Sequence, residues 1–352
     1  MRIRMYDAKQ RDRWDALVEA SSDATIGHLW QWREVIGAAY GFDSFYLVAE
    51  ESEGEPVAAL PFIRIRSGLY GSELASMPYI DYGAVCHRDS LPEDQRERCD
   101  RELYNYALQL GRALRAKRLH VRSLRPADPR FTISTEKITQ HLAIARSASE
   151  QLKLLPAERR NRLRRAERFG LSTEILVPDD AGAFQEFCEI YCTNMRDLGS
   201  PTHSREFFRQ LVLRFSDRLA LIVIRHRGVA VASAMAFEFR GVLSVPWTGA
   251  LLAARPVYGS NALYWSAICL AIERGCRMFD FGRSSAGSGI FEFKRQWGPK
   301  PQQSYWSTFY FRADAKAPRQ RKELQFATTI WRHIPLAVAR AVGPSLRKGI
   351  SN

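Results

Sequence analysis

Met278 to Pro301 reads MFDFGRSSAGSGIFEFKRQWGPKP. A short apolar strand ends here in Asp280, Gly282 and Arg283. A glycine-broken loop follows, and then an aromatic helix that carries Lys294. The order sets polar groups outside the carboxyl end of a strand, where open α/β sheets gather their ligands. A cation fixed there by neighbouring aromatics is placed to meet an anionic substrate. Phe291, Phe293 and Trp297 read first as core residues of an amphipathic helix, whereas Arg283 and Lys294 read as functional.

Outward from this stretch the second half of the chain is a series of alternating elements. Helices are predicted near Ala183 to Leu198 and Ser204 to Phe215. A hairpin, LALIVIRHRGVAVASAMAFEF, follows, then the strand VLSVPWTGA, a helix from Asn261 to Arg274 and the strand RMFDFG. The first half has the same order. Helices near Asp12 to Ala20 and Leu29 to Tyr40 precede a hairpin, FYLVAEESEGEPVAALPFIRI, turning at Glu53, Gly54 and Glu55. ELASMPYIDYGAV, a helix from about Glu93 to Lys117 and the strand RLHVRSL complete it. One order of elements met twice is what a duplicated α/β domain leaves in a sequence. Between the halves ASEQLKLLPAERRNRLRRAERFGL is helical on either side of Pro156, and the boundary falls near there.

The length of 352 residues favours two domains, and 46% apolar residues are ample for two cores. No stretch approaches the roughly 18 uninterrupted apolar residues of a membrane helix, and MRIRMYDAKQRDRWD lacks the apolar centre of a signal peptide. A soluble cytoplasmic enzyme is the expectation. The six cysteines include no CxxC pair, so they read as reduced core residues and no metal site is expected. The net charge of +14 is concentrated in two places. Arg146 to Arg168 holds eight basic and three acidic residues, and Lys316 to Asn352 holds eight and one. Such excess favours a polyanionic partner, although an arginine-rich helix is also an ordinary solvated surface.

FDFGRS followed by GxxxFKxxWGxxP resembles the C-terminal signature of the FemAB-like transferases, in the branch associated with exosortase and exopolysaccharide gene clusters. RNRLRRAERFGL, from Arg160 to Leu171, is similar to the RNxxRKAxKxGL stretch that opens the second domain of those proteins, with Arg165 and Arg168 in place of lysines. The resemblance implies an α/β (α+β) fold of two tandem acetyltransferase-like (GNAT) domains, each a mixed, mostly antiparallel sheet flanked by helices. Residues 1–150 would form the first, 151–315 the second, and 316–352 a basic amphipathic tail.

The resemblance also implies site residues. Lys294, the lysine of the FK pair, would meet the donor's phosphate or the developing oxyanion. Arg283 and the row Arg160, Arg164 and Arg165 would hold phosphates, for which the planar guanidinium fork is suited. Arg160, Arg164 and Arg168 share a helix face by their spacing. Ser260 and Asn261 open the helix after RPVYGSNA; in acetyltransferases the corresponding turn presents helix amides to a pyrophosphate. This chain lacks their RxxGxG/A run, and helix capping is an equal reading of Gly259 to Asn261. Asp280 and Trp297 join the substrate-binding set. In the first half, SMPYIDYGAV offers Asp81 as a carboxylate to orient or deprotonate an amine, with Tyr82 beside it; a turn aspartate is the structural alternative.

The absence of GxSxG, HExxH and Walker-type motifs leaves chemistry that needs little beyond positioning. The expected activity is acyl or aminoacyl transfer to an amine, or a hydroxyl, of a cell-envelope or exopolysaccharide precursor. The co-substrate would be aminoacyl-tRNA, or alternatively acyl-CoA, with no bound cofactor. A noncatalytic RNA-binding or scaffold protein on the same fold is the other class. The tail, with Trp331, Ile334 and Val338 among Arg332, Arg340 and Arg347, suggests peripheral contact with the inner membrane face, or docking on the protein's own body. Pro335 and Pro344 are expected to interrupt it.

Overall fold

The computed structural model describes residues 1–51, 53–68, 71–312 and 321–351, the side chains of 321–326 apart. The chain forms two compact units, Met1–Lys137 with Gln303–Pro318 and Lys348–Asn352, and Ile138–Gln302 with Arg319–Arg347.

In the first unit the strands β1 (Arg2–Tyr6), β2 (Asp43–Glu50), β3 (Pro56–Ser67), β4 (Gly71–Ala75), β6 (Arg118–Ser123) and β14 (Lys300–Tyr310) pair in that order, with β5 (Cys86–His87) on β3. Of these pairs β4 and β6 are parallel and the others antiparallel. The helices are α1 (Arg11–Glu19), α2 (Gln31–Tyr40) and α3 (Glu93–Ala113). Helix α3 opens with Glu93 and Asp94, which complement the positive end of its dipole. Cys99, Leu103, Ala107 and Gly111 recur every four residues and are buried on one stripe. That stripe joins Leu47, Leu60, Leu74 and Leu119 of the sheet in one core.

In the second unit β7 (Thr132–Ala143), β12 (Met278–Asp280), β11 (Val242–Ala250), β10 (Val229–Phe239), β9 (Leu219–His226) and β8 (Leu171–Leu176) pair in that order. The short strand β13 is Ser284–Ser285. Helices α4 (Ala148–Leu154), α5 (Ala157–Arg168), α6 (Ala181–Asp197), α7 (Arg205–Arg214), α8 (Gly259–Glu273) and α9 (Gly289–Arg295) surround it, followed by α10 (Arg321–His333) and α11 (Leu336–Arg347). The period of two in the strands separates two cores. Ala220, Ile222, Ile224, Ala232 and Ala234 face Leu263, Ala267, Ile268 and Ala271 of α8. On the other face Phe237 and Trp247 meet Phe207, Phe208 and Phe215 edge to face.

Strands β11 and β12 diverge toward their carboxyl ends. The two are parallel and in register from Val242↔Met278 to Ser244↔Asp280. The next amide, Phe281 N–H, donates instead to Gln140 O at 3.0 Å on the β7 side. Strand β11 continues to Ala250 beside β10. Pro246, with no N–H to give a ladder, stands two residues beyond the last shared pair. The two strands therefore part beyond Ser244 and Asp280.

Two features differ from the sequence expectations, the unit boundary and the effect of Pro344. The compact units are not contiguous halves meeting at 150, because the last three residues of β7 pair with β12 and the residues from Gln303 return to the first unit. The start of the expected tail, 316–320, lies outside the described residues, and the remainder is mostly the helix pair α10 and α11, both of which pack against α6. Ile334 and Pro335 separate that pair, whereas Pro344 begins the last turn of α11, where it removes a single ladder bond.

Candidate active site

Helix α8 starts without a side-chain cap. Its N-cap, Tyr258, is left-handed at φ 62°, which turns the loop sharply into the helix. Gly259 is demanded by the same turn, since a Cβ there would lie 2.7 Å from the Ala254 Cβ. The Asn261 and Ala262 amides donate to Tyr258 O at 2.9 and 3.1 Å, while those of Gly259 and Ser260 precede the ladder at the positive end of the dipole, which favours an anion. Next to this turn an open cleft of about 360 Å³ is lined by Arg165, Arg168, Phe169, Pro256 and Tyr258. Arg165 donates to the Tyr258 hydroxyl at 3.0 Å, and the Phe169 and Tyr258 rings lie 6.2 Å apart. Two arginines with flexible reach and an uncapped helix start make a site suited to phosphate.

Below the cleft the buried stripe of α5 is Arg159, Leu163 and Ala166, so an arginine occupies a core position. Arg159 is 1% exposed. Its guanidinium donates to Asn261 Oδ1, to Gln296 Oε1 and, at 3.5 Å, to Phe293 O. It lies 4.6 Å from the Trp297 ring centroid and 5.1 Å from that of Phe293. Burial, with a smaller contribution from neighbouring Arg162, lowers its pKa to about 10, so it stays charged at neutral pH.

At the end of β12 the FDFGRS stretch forms a tight turn. Asp280 Oδ1 accepts from the Gly282 amide at 2.7 Å and from Thr139 Oγ1 at 3.2 Å, and Gly282 is left-handed at φ 68°. Burial disfavours the Asp280 charge, but His141 Nε2 at 3.4 Å, the Gly282 amide and the nearby Lys294 ammonium outweigh it and hold the pKa below the usual carboxylate range. Lys294 is 5% exposed, and its Nζ donates to the carbonyls of Gly282 and Arg283, each at 3.1 Å. The FK lysine thus latches the aromatic helix onto the turn.

The structure distributes the expected site residues unevenly. Arg165 lies at the cleft, joined there by Arg168, and Ser260 lies on the first turn of α8. Arg160 turns back onto the carbonyls of Leu155 and Lys153, capping α4. Arg164 is exposed and donates to Asn161 at 3.3 Å. Asn261 is engaged by Arg159, Trp297 is 1% exposed in the core, and Asp280 and half-buried Arg283 belong to the β12 turn. Asp81 and Tyr82 belong to the first unit, half-buried on the loop after β4. That loop includes Met77 and Tyr79 at positive φ, and Arg122 secures it by donating to Ile80 O at 3.1 Å. Arg159 and Tyr258 lie in segments that the sequence marked but were not assigned to the site, and His141 was not singled out at all.

A thiol nucleophile has no support, because burial pushes Cys188 to about 12 and Cys269 to about 11. Among the described residues there is no cluster fit for a metal ion and no helix long and apolar enough to cross a membrane.

Residues 157–295 match the acetyltransferase (GNAT) domain, a span that begins with α5 and ends with α9. The chain is therefore an enzyme of the acyltransferase class. No curated protein matches it. Among solved structures it is similar to FemX, at 11% identity and a TM-score of 0.63, with 87% of this chain and 97% of that chain covered. It is also similar to L-PGS from Bacillus licheniformis, at 15% identity and a TM-score of 0.54 over 91% and 95% of the two chains. A tandem GNAT protein from the clavulanic acid biosynthesis pathway aligns at 12% identity and a TM-score of 0.55 over 90% and 99%. At such identities the likeness is one of fold: mixed α/β, mostly antiparallel sheet flanked by helices, shared with tandem GNAT proteins.

Proposed function

We propose that this protein transfers an acyl group, aminoacyl in the leading case, from a phosphate-bearing donor to an amine or hydroxyl of a cell-envelope or exopolysaccharide precursor. The observation that carries the reading is the arginine-lined cleft at the uncapped start of α8. In the reaction the acceptor nitrogen attacks the activated carbonyl carbon. The bond from that carbon to the donor's oxygen or sulfur breaks, and the proton lost by the amine ends on the leaving atom. No nucleophilic residue is required; alignment and charge stabilisation supply the rate. His141 beside Asp280 is a candidate to carry the proton, as is Asp81.

Aminoacyl-tRNA is favoured as donor by the exposed cations of α5 and the net charge of +14, which suit an extended polyanion. The same direction comes from a putative lysylphosphatidylglycerol synthetase domain from Agrobacterium fabrum, similar in fold at a TM-score of 0.56, whose name describes an aminoacyl product. Acyl-CoA is the second reading, favoured by the match to an acetyltransferase domain. The test is turnover: the protein is incubated with charged tRNA or with acyl-CoA and an amine acceptor, and products are read by mass spectrometry. Acyl transfer from either donor supports the reading and names the donor. Donor binding with no product from any donor would favour the scaffold alternative.

A further inference from the structure

The least expected group in the second unit is Arg159. A position that shares a helix face with Leu163 and Ala166 calls for an apolar residue, and burying an isolated cation is unfavourable even after relaxation. A merely structural link between α5, Asn261 and Gln296 could be made by a neutral amide. Among the described residues no carboxylate pairs with the Arg159 guanidinium; its partners are two side-chain amide oxygens, one carbonyl and two aromatic faces. Its Nε is buried without a hydrogen-bond partner among those residues. Asn261, which it grips, is the third residue of α8.

We infer that Arg159 is a positive charge kept in the core for the donor's phosphate, a positioning residue that acts through Asn261 and the first turn of α8. The charge adds to the positive end of the α8 dipole, in surroundings where screening is weak. Arg165 and Arg168 are exposed and hydrated, so their share of the attraction falls with salt, while that of Arg159 persists. The buried charge is balanced when the anion arrives.

The inference rests on the phosphate-donor reading, and the test separates the two. Affinities for tRNA and for coenzyme A are measured at near-physiological salt for wild type, Arg159→Lys and Arg159→Gln, together with thermal unfolding. Gln retains a hydrogen-bond donor without charge; Lys retains charge without the fork. The expected result is that Arg159→Gln weakens the ligand that wild type binds at least tenfold, while Arg159→Lys stays within about threefold, whichever variant unfolds first. Equal affinity of Arg159→Gln and wild type overturns the inference alone, as does an equal loss in both variants or a loss that follows the unfolding temperature. If wild type binds neither tRNA nor coenzyme A, the donor reading fails and the inference with it.

Discussion

Replacing Lys294 by methionine keeps the length of the side chain and removes its charge. The structure sets that charge against Gly282 O and Arg283 O, each at 3.1 Å, and beside buried Asp280. Hydrogen bonds from a charged group contribute about 1.5–3 kcal/mol each. Relief from burying the ammonium offsets part of this, and removing one partner of a buried charged network typically costs about 3–5 kcal/mol. For a unit of this size the unfolding temperature should fall by roughly 10 °C. Donor affinity and turnover should fall with it, because the β12 turn loses its latch. Chemical denaturation and thermal unfolding of the full chain measure the first effect, and turnover at a temperature where the variant is folded measures the second. An unchanged midpoint would refute the latch. An unchanged midpoint with turnover abolished would give Lys294 a direct part in the reaction instead.

Removing both Arg165 and Arg168 as alanines should weaken the donor by about 10- to 100-fold, through the loss of charge-assisted bonds, without changing the unfolding temperature. Gly259→Ala should destabilise the protein by about 1–3 kcal/mol, because the new methyl meets Ala254 Cβ at 2.7 Å, and should weaken the donor as well. His87 is fully buried between Asp100 at 2.8 Å and Asp23 at 3.0 Å. Burial opposes its charge, but the two carboxylates outweigh it and raise its pKa above the ordinary value of about 6.5. Its contribution to stability should be complete below about pH 6.5 and be lost as pH rises through the folded value, a slope that denaturation of His87→Asn should lack. Ile330, Val338 and Val342 are exposed beside Arg332 and Arg340. If this face meets an anionic membrane, Val338→Asp with Val342→Asp should abolish flotation with anionic liposomes; flotation that persists excludes it.

The hairpins β2–β3 and β9–β10 and the helix α3 were legible because each is dominated by one apolar period, and α8 because it is apolar on nearly every side. Strands β7 and β14 were not read, since TISTEKITQHLA and KPQQSYWSTFY are largely polar and show no clear apolar alternation. Missing β7 also hid His141, whose position against Asp280 depends on that pairing. The arginine row was visible in sequence, but its division of labour was not. The i, i+4 spacing grouped Arg160 with Arg164, whereas folding turns Arg160 onto the carbonyls of Lys153 and Leu155 and leaves Arg165 and Arg168 at the cleft. Arg159 could have been found by its helical spacing from Leu163 and Ala166, which marks it as a charge on an inward face. Trp297 was legible as core and is core; its assignment to substrate came from motif resemblance rather than from its own periodicity.

The central claim is that the cleft at the start of α8 holds a phosphate-bearing acyl donor. The most direct measurement is equilibrium binding of charged tRNA, uncharged tRNA and a series of acyl-CoAs at one fixed salt concentration, for wild type and for the variant lacking both Arg165 and Arg168. The account predicts saturable binding of charged tRNA, or failing that of acyl-CoA, weakened at least tenfold in the variant. Binding of neither by wild type, or equal binding by both proteins, would contradict it.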